Sequence, residues 1–300
     1  MTSADRLLSV LQLFTPERPE WTVETAAKEV GVSISTAYRY FRSLCRVGLL
    51  DPYSGGTYVF GPAIIAYDRQ IRIADPLIRV AGPVMRRLVA AAGVGTVALL
   101  CRVYRNRVMC VHQEAEGWPE QVLGYERGRP MPMFLGASSK IIFANLPSRT
   151  ARWFFVKYSG EIAEAGLGAD WVAVRTNLRR MRTAGFCVTE AEVDAGRLGI
   201  AAPVFDPGGK VLGSVGLAMP QTDAAAQPMA DAAKLVQAAG REIDRGLAAH
   251  EGADHASGSA IVSAQRPASA SRFVSPRRAK RAAVRQGARA SPARVVRRQR

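Results

Sequence analysis

The sequence predicts an α+β protein that begins with a winged helix-turn-helix domain and continues into a larger domain with an antiparallel sheet. Three observations predict this fold. Two short helical patterns meet at Gly31, strand patterns group at both ends of a helix-rich middle region, and the C-terminal residues lack apolar periodicity. We place the winged helix-turn-helix domain at residues 1–61, a linker helix at 62–75, the second domain at 76–250 and a disordered basic tail at 251–300.

Two short amphipathic helices are predicted within the first 50 residues. Thr22 can cap the first helix and Ser33 the second, because their side-chain oxygens can accept the free amides of a first helical turn. Gly31 lies between them and can adopt the left-handed conformation that ends a helix. The apolar positions of the second helix recur at the spacing of one buried face: Ala37, Tyr40 or Phe41, and Leu44.

The opposite side of the second helix is polar and cationic, which suits the major groove of DNA. No carboxylate occurs between Ile34 and Leu50, and Arg39 is the best candidate for paired hydrogen bonds to one guanine. An ordinary helical hairpin with a solvated basic face is the alternative interpretation. We predict DNA contacts for these residues: Ser33, Ser35, Thr36, Tyr38, Arg39, Arg42, Ser43 and Tyr58.

A β-hairpin is predicted directly behind the second helix. Two β-prone runs, residues 51–53 and 57–60, flank a turn of serine and glycine, and a hairpin in this position is a wing. A leading helix from Ala4 to Phe14, capped by Ser3, is predicted to complete the small core. Its core-facing residues are predicted to be Leu7, Leu8, Leu11 and Phe14.

The second domain is predicted to open with a helix from Pro76 to about Ala92, followed by a hairpin that turns at residues 105–106. This turn would place Cys101 opposite Cys110, either as two buried thiols or as a redox-sensing pair. The remaining predicted elements are a strand at 121–125, helices at 137–146, 148–158 and 170–184, strands at 198–205 and 211–218, and a helix at 223–249.

The net charge of +16 is concentrated in the tail. No acidic residue follows Asp254, whereas residues 266–300 contain eleven arginines and one lysine; subtracting these twelve charges leaves about +4 for the first 265 residues. The tail cannot bury enough apolar surface to offset its ordering entropy, so we expect it to be disordered. It could add phosphate contacts without sequence preference, or it could have no selected role.

Neither a membrane segment nor a cofactor site is predicted. The longest nearly apolar run, Val89 to Cys101, is too short to span a bilayer and is interrupted by glycine. Four cysteines without a CxxC pair argue against structural zinc and fit a cytoplasmic protein. With three histidines and no GxxxxGK(S/T) or GxGxxG motif, we expect no metal, no cofactor and no enzyme activity.

The order of several motifs resembles the IclR-type bacterial transcriptional regulators. The resemblance rests on GVSISTAYRYFRSL with its closing VGLL, on YVFGP after the wing, and on GRPMPMFLGASSKIIFANLP, GFCVTEAE and LGIAAPVFDPGGKVLGSVGLAMP. It covers residues 5 to 245. The resemblance implies a GAF-like effector domain at residues 76–250 and a dimer or tetramer.

The resemblance further implies that the second domain binds a small, often acidic or aromatic, metabolite. The positions carried over from the family are Ala137, Ser138, Thr189, Glu190, Gly199, Gly216 and Ala218. The free amides at the start of the helix after Gly136 independently favour a carboxylate. Because glycine or alanine stands where relatives can present polar side chains, we expect a roomier, less polar pocket for a bulkier acid. The same glycines could instead serve packing.

The sequence therefore predicts a cytoplasmic, sequence-specific DNA-binding transcriptional regulator. Its partners would be an operator in double-stranded DNA, a small organic acid that modulates operator affinity, and further copies of the chain. Plausible interface or core positions are Leu7, Leu11, Ile64, Ile65 and Ile71. The alternatives are a small-molecule enzyme with a nucleic-acid tether and a nonspecific nucleoid-type DNA-binding protein.

Overall fold

The computed structural model describes residues 2–115, 124–221 and 229–264, with side chains described as far as residue 251. The chain divides into two compact units, residues 1–253 and 254–300. In the second unit, the described residues 254–264 are helical. Residues 121–123 of one predicted strand, residues 223–228 of the predicted last helix and residues 265–300 of the predicted tail lie outside the described residues. Residues 124–125, predicted to end that strand, form a turn instead.

The described elements confirm a mixed α and β fold. The helices are α1 (Ser3–Ser9), α2 (Val23–Val30), α3 (Ile34–Arg46), α4 (Ala63–Ala74), α5 (Pro76–Ala92), α6 (Ala137–Asn145), α7 (Ser148–Glu164), α8 (Trp171–Ala184) and α9 (Met229–Ala264). The strands are β1 (Trp21–Thr22), β2 (Leu50–Pro52), β3 (Thr57–Phe60), β4 (Val97–Tyr104), β5 (Arg107–Ala115), β6 (Pro130–Pro132), β7 (Cys187–Glu190), β8 (Arg197–Phe205) and β9 (Val211–Pro220).

The predicted helix-turn-helix is confirmed in α2 and α3. The amides of Thr25 and Thr36 donate to the hydroxyls of Thr22 and Ser33, so both predicted caps are in place. Gly31 between the helices has φ 71°, the left-handed value expected for a helix end. The buried face of α3 consists of Ala37, Tyr40, Phe41 and Leu44, as its spacing predicts.

The leading helix differs from its prediction. Its cap is Thr2, which forms a capping box with Asp5, whereas the hydroxyl of Ser3 lies 3.1 Å from the Tyr40 hydroxyl. Residues 10–12 form a 3-10 turn. Val10 is buried and Leu8, predicted to face the core, is 54% exposed. At helical spacing Val10 lies on the same side as Leu7 and Phe14, whereas Leu8 lies about 100° away from Leu7.

The wing is a three-stranded antiparallel sheet in the order β1-β3-β2. The predicted hairpin is confirmed, whereas β1 was not predicted because two residues are too few to show alternation. After the wing, Gly61 donates its amide to the Leu49 carbonyl and leads into α4. A methyl group at Gly61 would overlap the carbonyl oxygen of Gly48 and lie 2.9 Å from its carbonyl carbon.

The second domain contains a six-stranded, fully antiparallel sheet in the order β6-β5-β4-β9-β8-β7. Successive side chains of β4 point to opposite faces, as the pleat requires. Ala98 and Leu100 pack with α5 and α9, whereas Leu99 and Cys101 belong to the cluster that includes α6, α7 and α8. Neither β6 nor β7 was predicted; both are short strands at the two edges of the sheet.

Two helices extend beyond their predicted ends. The predicted helix at 148–158 continues as α7 to Glu164 through non-helical backbone angles at Tyr158. The last helix continues to Ala264, so the predicted start of the tail at residue 251 lies inside α9. Alanines at positions 253, 256, 260 and 264 favour this extension, whereas Gly252 and Gly258 oppose it, so helix propensity alone does not explain the late end. The domain boundaries stay a prediction. Among the described residues, no helix is long and apolar enough to cross a membrane.

We predict that Gly61→Ala lowers the free energy of unfolding by about 1–3 kcal/mol, because the added methyl group must displace the Gly48 backbone. Gly160→Ala in α7 is the control. No described atom lies within 4 Å of its added methyl group, and alanine favours a helix by about 0.5–1 kcal/mol. Urea unfolding of both variants measures the difference. Equal stability of the two variants would contradict the close approach at Gly61.

Candidate DNA interface and effector cavity

The exposed face of α3 carries most of the predicted DNA-contacting residues. Ser33, Ser35, Tyr38, Arg39 and Arg42 are exposed, and two further predicted residues, Thr36 and Ser43, are partly exposed. The helix therefore presents its cations and hydroxyl groups on the side opposite the core. Such a division of residues is what a helix in the major groove requires.

Hydroxyl groups cluster at the start of α3. Besides capping the Thr36 amide at 3.3 Å, Ser33 Oγ donates to Thr36 Oγ1 at 2.9 Å and lies 3.2 Å from Ser35 Oγ. These contacts hold the three hydroxyls close to the first-turn amides, which favour a phosphate oxygen. The first turn of α3 can therefore offer a phosphate both hydroxyl and amide donors.

A carboxylate from α2 reaches the exposed face of α3. The Tyr38 hydroxyl donates to Glu24 Oε1 at 2.8 Å, and this hydrogen bond raises the pKa of Tyr38. The pKa of Glu24 is lowered, first by a hydrogen bond from its own backbone and then by the bond from Tyr38. Sequence reasoning missed Glu24 because the two residues belong to different helices and meet only through the packing of α2 against α3.

Tyr58 lies at the border of the core of the N-terminal domain. Its ring contacts Phe41 edge-on, with 4.8 Å between ring centroids, and its backbone pairs with Trp21 in β1 and with Pro52 in β2. The side chain is partly buried rather than free at the tip of the wing. Tyr58 therefore also supports α3 from behind.

A cavity lies at the start of α6, on the sheet face that α6 covers. This effector cavity is lined by Leu99, Tyr125, Gly136, Ala137, Ser138, Thr189, Glu192, Val193, Asp194, Arg197, Leu198, Gly199, Leu217 and Ala218. It brings together five of the predicted positions: Ala137, Ser138, Thr189, Gly199 and Ala218. Glu190 and Gly216 are not among the described lining residues. Thr189 is buried and its neighbour Glu190 is exposed, because successive residues of β7 point to opposite faces.

The glycines of the late strands allow close packing. A methyl group at Gly216 would lie 2.7 Å from the Ile200 carbonyl oxygen and 2.8 Å from Ala201 Cβ. One at Gly199 would lie 2.9 Å from Thr189 Oγ1. The effector cavity has a volume of only ≈ 40 Å³, which is room for a few ordered waters.

An acidic loop, residues 191–196, lies over the effector cavity. Glu192 Oε2 accepts the Gly136 amide at 3.1 Å, and Asp194 Oδ1 accepts the Gly124 amide at 2.7 Å. Left-handed backbone stands at both ends of the loop, with φ 50° at Ala191 and 70° at Gly196. No role is predicted for this loop from the sequence, although the motif GFCVTEAE ends at Glu192, because no local pattern shows that the loop folds back over α6.

The carboxylate of Glu192 also pairs with a buried ammonium group. Lys140 of α6 is 5% exposed, and its Nζ donates to Glu192 Oε1 and, at 2.7 Å, to the carbonyl oxygen of Ala165. A buried charge requires such partners. Among the described lining residues of the effector cavity the cation is Arg197, whose guanidinium donates to the Gly95 carbonyl oxygen at 2.8 Å.

Ser138 links α6 to the middle of the sheet. Its hydroxyl hydrogen-bonds with the Cys101 thiol, and Ser214 Oγ donates to its carbonyl oxygen at 3.1 Å. Cys101 lies opposite Cys110, as the predicted turn requires, with a register shift between Leu100 and Cys101. Hydrogen bonding to Cys110 and burial raise the pKa of Cys101 well above its usual value, which keeps this thiol protonated.

A second hydroxyl contact fixes the following residue of α6. The Tyr125 hydroxyl donates to the Leu135 carbonyl oxygen at 2.9 Å and contacts Ser139 Oγ. Burial raises the pKa of Tyr125, so this phenol remains neutral. The start of α6 therefore contacts neutral hydroxyl and thiol groups on the side that faces the sheet. On the side away from the sheet it contacts the acidic loop.

Comparisons with known proteins agree with this architecture. Residues 3–52 match the IclR helix-turn-helix domain, and residues 73–245 match the family described as bacterial transcriptional regulator IclR C-terminal. The Pca regulon regulatory protein of Pseudomonas putida is 20% identical over 217 residues, which are 72% of this chain and 73% of that protein.

Solved structures share the fold at low sequence identity. An IclR homolog from Microbacterium hydrocarbonoxydans, complexed with 4-hydroxybenzoate, is 19% identical and has a TM-score of 0.64, covering 83% of this chain and 100% of its own. An IclR regulator from Alicyclobacillus acidocaldarius is 19% identical with a TM-score of 0.66, covering 82% and 98%.

The two matched regions together account for both the helix-turn-helix and the sheet domain with its cavity. The chain belongs to the IclR family of bacterial transcriptional regulators, which combine a DNA-binding helix-turn-helix domain with a ligand-binding C-terminal domain.

Proposed function

We propose that this regulator responds to an aromatic monocarboxylate bound in the effector cavity. The observation that carries this proposal is the composition of the cavity. Apolar surface from Leu99 and Ala218 meets the first turn of α6 and the guanidinium of Arg197. The apolar surface suits a ring, whereas the amides and the cation suit a carboxylate. The complex of a relative with 4-hydroxybenzoate supports the same class of ligand.

The ligand must displace the acidic loop to enter. The present ≈ 40 Å³ is far below the roughly 300–1,000 Å³ of ordinary ligand sites. Glu192 already accepts the Gly136 amide at the start of α6, so a ligand carboxylate competes with it for the same helix end. Opening of this loop would relieve the left-handed conformation of Ala191, which is unfavourable for a residue with a Cβ.

We further propose roles for the exposed residues of α3. Arg39 would hydrogen-bond with a guanine edge and Arg42 with phosphate, while the hydroxyl cluster at Ser33 would position the helix on the backbone. To contact DNA, the Tyr38 hydroxyl would have to give up its hydrogen bond to Glu24. Tyr38 would therefore favour DNA sites that offer its hydroxyl an acceptor in place of Glu24. The protein would act by binding, without catalysis, in the cytoplasm.

We propose that the protein is a homodimer joined through α4. This helix has no buried residue, although it contains four isoleucines, and Ile65 and Ile71 are 73% and 52% exposed. Ile64, Tyr67 and Ile71 follow helical spacing and form one apolar stripe. Exposed apolar surface of this kind is typical of an interface. Ligand binding would then change operator affinity through the relative placement of two helix-turn-helix domains.

The effector proposal predicts that 4-hydroxybenzoate binds the parent protein in calorimetry and that Ala218→Leu weakens this binding more than tenfold. The larger side chain would fill the space at Ala218 that a ring needs. The control is Ala91→Leu, the same substitution at an exposed position of α5. Thermal unfolding shows whether both variants remain folded. If neither 4-hydroxybenzoate nor benzoate binds the parent protein, the proposal is wrong.

The DNA proposal predicts that an Arg39→Ala, Arg42→Ala double variant loses affinity for its promoter fragment and loses preference over random DNA. One paired contact to guanine contributes about 1–3 kcal/mol of discrimination. Fluorescence anisotropy at fixed salt measures both affinities. The control removes two exposed arginines of α8, in Arg175→Ala, Arg179→Ala. A folded Arg39, Arg42 variant that binds as tightly and selectively as the control would refute these roles.

The dimer proposal predicts that Tyr67→Arg, Ile71→Arg, on the apolar stripe of α4, converts the protein to a monomer in light scattering. Two charges in an apolar interface cannot be desolvated without partners. The control is Val156→Arg, Val172→Arg, which places two charges at exposed valines of α7 and α8, outside α4. An unchanged molar mass for the α4 variant would place the interface elsewhere.

A further inference from the structure

A second cavity lies beside α8 and shares Glu192 with the effector cavity. This α8 cavity is bounded by α6, by the turn after α7, by α8 and by β7. Its volume is ≈ 450 Å³, about the size of an ordinary ligand site and much larger than the closed effector cavity. The ion pair between Lys140 and Glu192 stands at its inner end.

The side chains around the α8 cavity are those of an amphipathic anion site. Its ionisable lining residues are Lys140, Arg180 and Glu192, two cations against one anion, so a single negative charge on a ligand would balance them. The apolar side chains of the wall include those of Leu167, Met181 and Ala184, whereas Phe186 and Val188 border the cavity but pack against the cluster of α5 and α9 on the opposite sheet face. Cys187 is buried in the same wall, and burial raises its pKa to about 12, so the thiol adds no charge.

One N–H donor of the Lys140 ammonium group has no acceptor among the described residues. An ammonium group has three N–H donors, and within the described residues two of them are taken, by Glu192 and by the Ala165 carbonyl oxygen. The residue is 95% buried yet lines the cavity. A buried ammonium with an unused donor is costly unless an acceptor reaches it, and a ligand carboxylate would supply one.

We propose that the α8 cavity is a second ligand site, which takes an aliphatic monocarboxylate. The carboxylate would lie between Lys140 and Arg180, with its chain against Leu167 and Met181. This ligand would also influence the effector cavity, because Lys140 holds the same Glu192 carboxylate that accepts the Gly136 amide. A carboxylate that shares Lys140 weakens its hold on Glu192 and so eases opening of the acidic loop. By linkage, the two ligands then strengthen each other's binding.

The test uses hexanoate and the full chain with ¹³C-labelled methionine methyl groups. Met181 lies in the wall of the α8 cavity, whereas Met85 is buried in the cluster between α5 and the opposite sheet face. Hexanoate should shift the Met181 methyl resonance saturably and leave that of Met85 unchanged; Met181→Leu assigns the signal. Uncharged hexanamide should bind at least tenfold more weakly, because it cannot pair with two cations.

Two pairs of variants locate the site. Ala184→Trp, at the rim, should abolish the hexanoate response, whereas Thr183→Trp, exposed next to it and outside the described lining, should not. Arg180→Gln should weaken binding about fivefold, whereas Arg179→Gln should leave it unchanged. The proposal is overturned if Met181 does not respond to hexanoate, if the two tryptophan variants behave alike, or if hexanamide binds as well as hexanoate.

The test for hexanoate binding at the α8 cavity does not depend on the proposed effector, whereas the test for coupling between the two cavities does. Ala218→Leu fills the effector cavity and should leave the Met181 response to hexanoate intact. Adding hexanoate should tighten 4-hydroxybenzoate binding in the parent protein and in Thr183→Trp, but not in Ala184→Trp. A Met181 response without this change would retain the site and overturn its coupling to Glu192.

Discussion

The close approach of α6 to the antiparallel sheet is the constraint on which the second domain depends. Helix residues 137–144 are all buried, because glycine and alanine on the facing strands leave little between helix and sheet. This placement puts Lys140 in the interior, where its charge requires Glu192 as a partner. Glu192 in turn draws the acidic loop onto the start of α6. One packing arrangement thus fixes the helix end, the ion pair and the loop.

The same arrangement explains why two cavities lie so near one another. The carboxylate of Glu192 contacts the effector cavity through the Gly136 amide and the α8 cavity through Lys140. A movement of this side chain therefore changes the polar groups available on both sides. A buried ion pair is sensitive to a competing charge, because electrostatic interactions are stronger in low-dielectric surroundings than in water. Such a pair is well suited to report on an anionic ligand.

In the N-terminal domain the amphipathic pattern of α3 was sufficient to predict its orientation. The buried residues Ala37, Phe41 and Leu44 determine which side faces away, so the exposed arginines could be named in advance. The pairing of Tyr38 with Glu24 could not be predicted, because it depends on the crossing of α2 and α3. The burial of Val10, by contrast, agrees with helical spacing from Leu7 and Phe14, and the exposure of Leu8 agrees with its position at the edge of that face.

The sequence by itself determined the helices, the hairpins and the pairing of Cys101 with Cys110, because caps, turn residues and hydrophobic periodicity act over a few residues. The family motifs also directed attention to the start of α6. Only the tertiary structure decided that Glu192, Asp194 and Arg197 join Ser138 around one cavity and that Glu190 turns away. Those placements depend on edge-strand register and on a loop folding back over a distant helix, and such long-range contacts have no local signal.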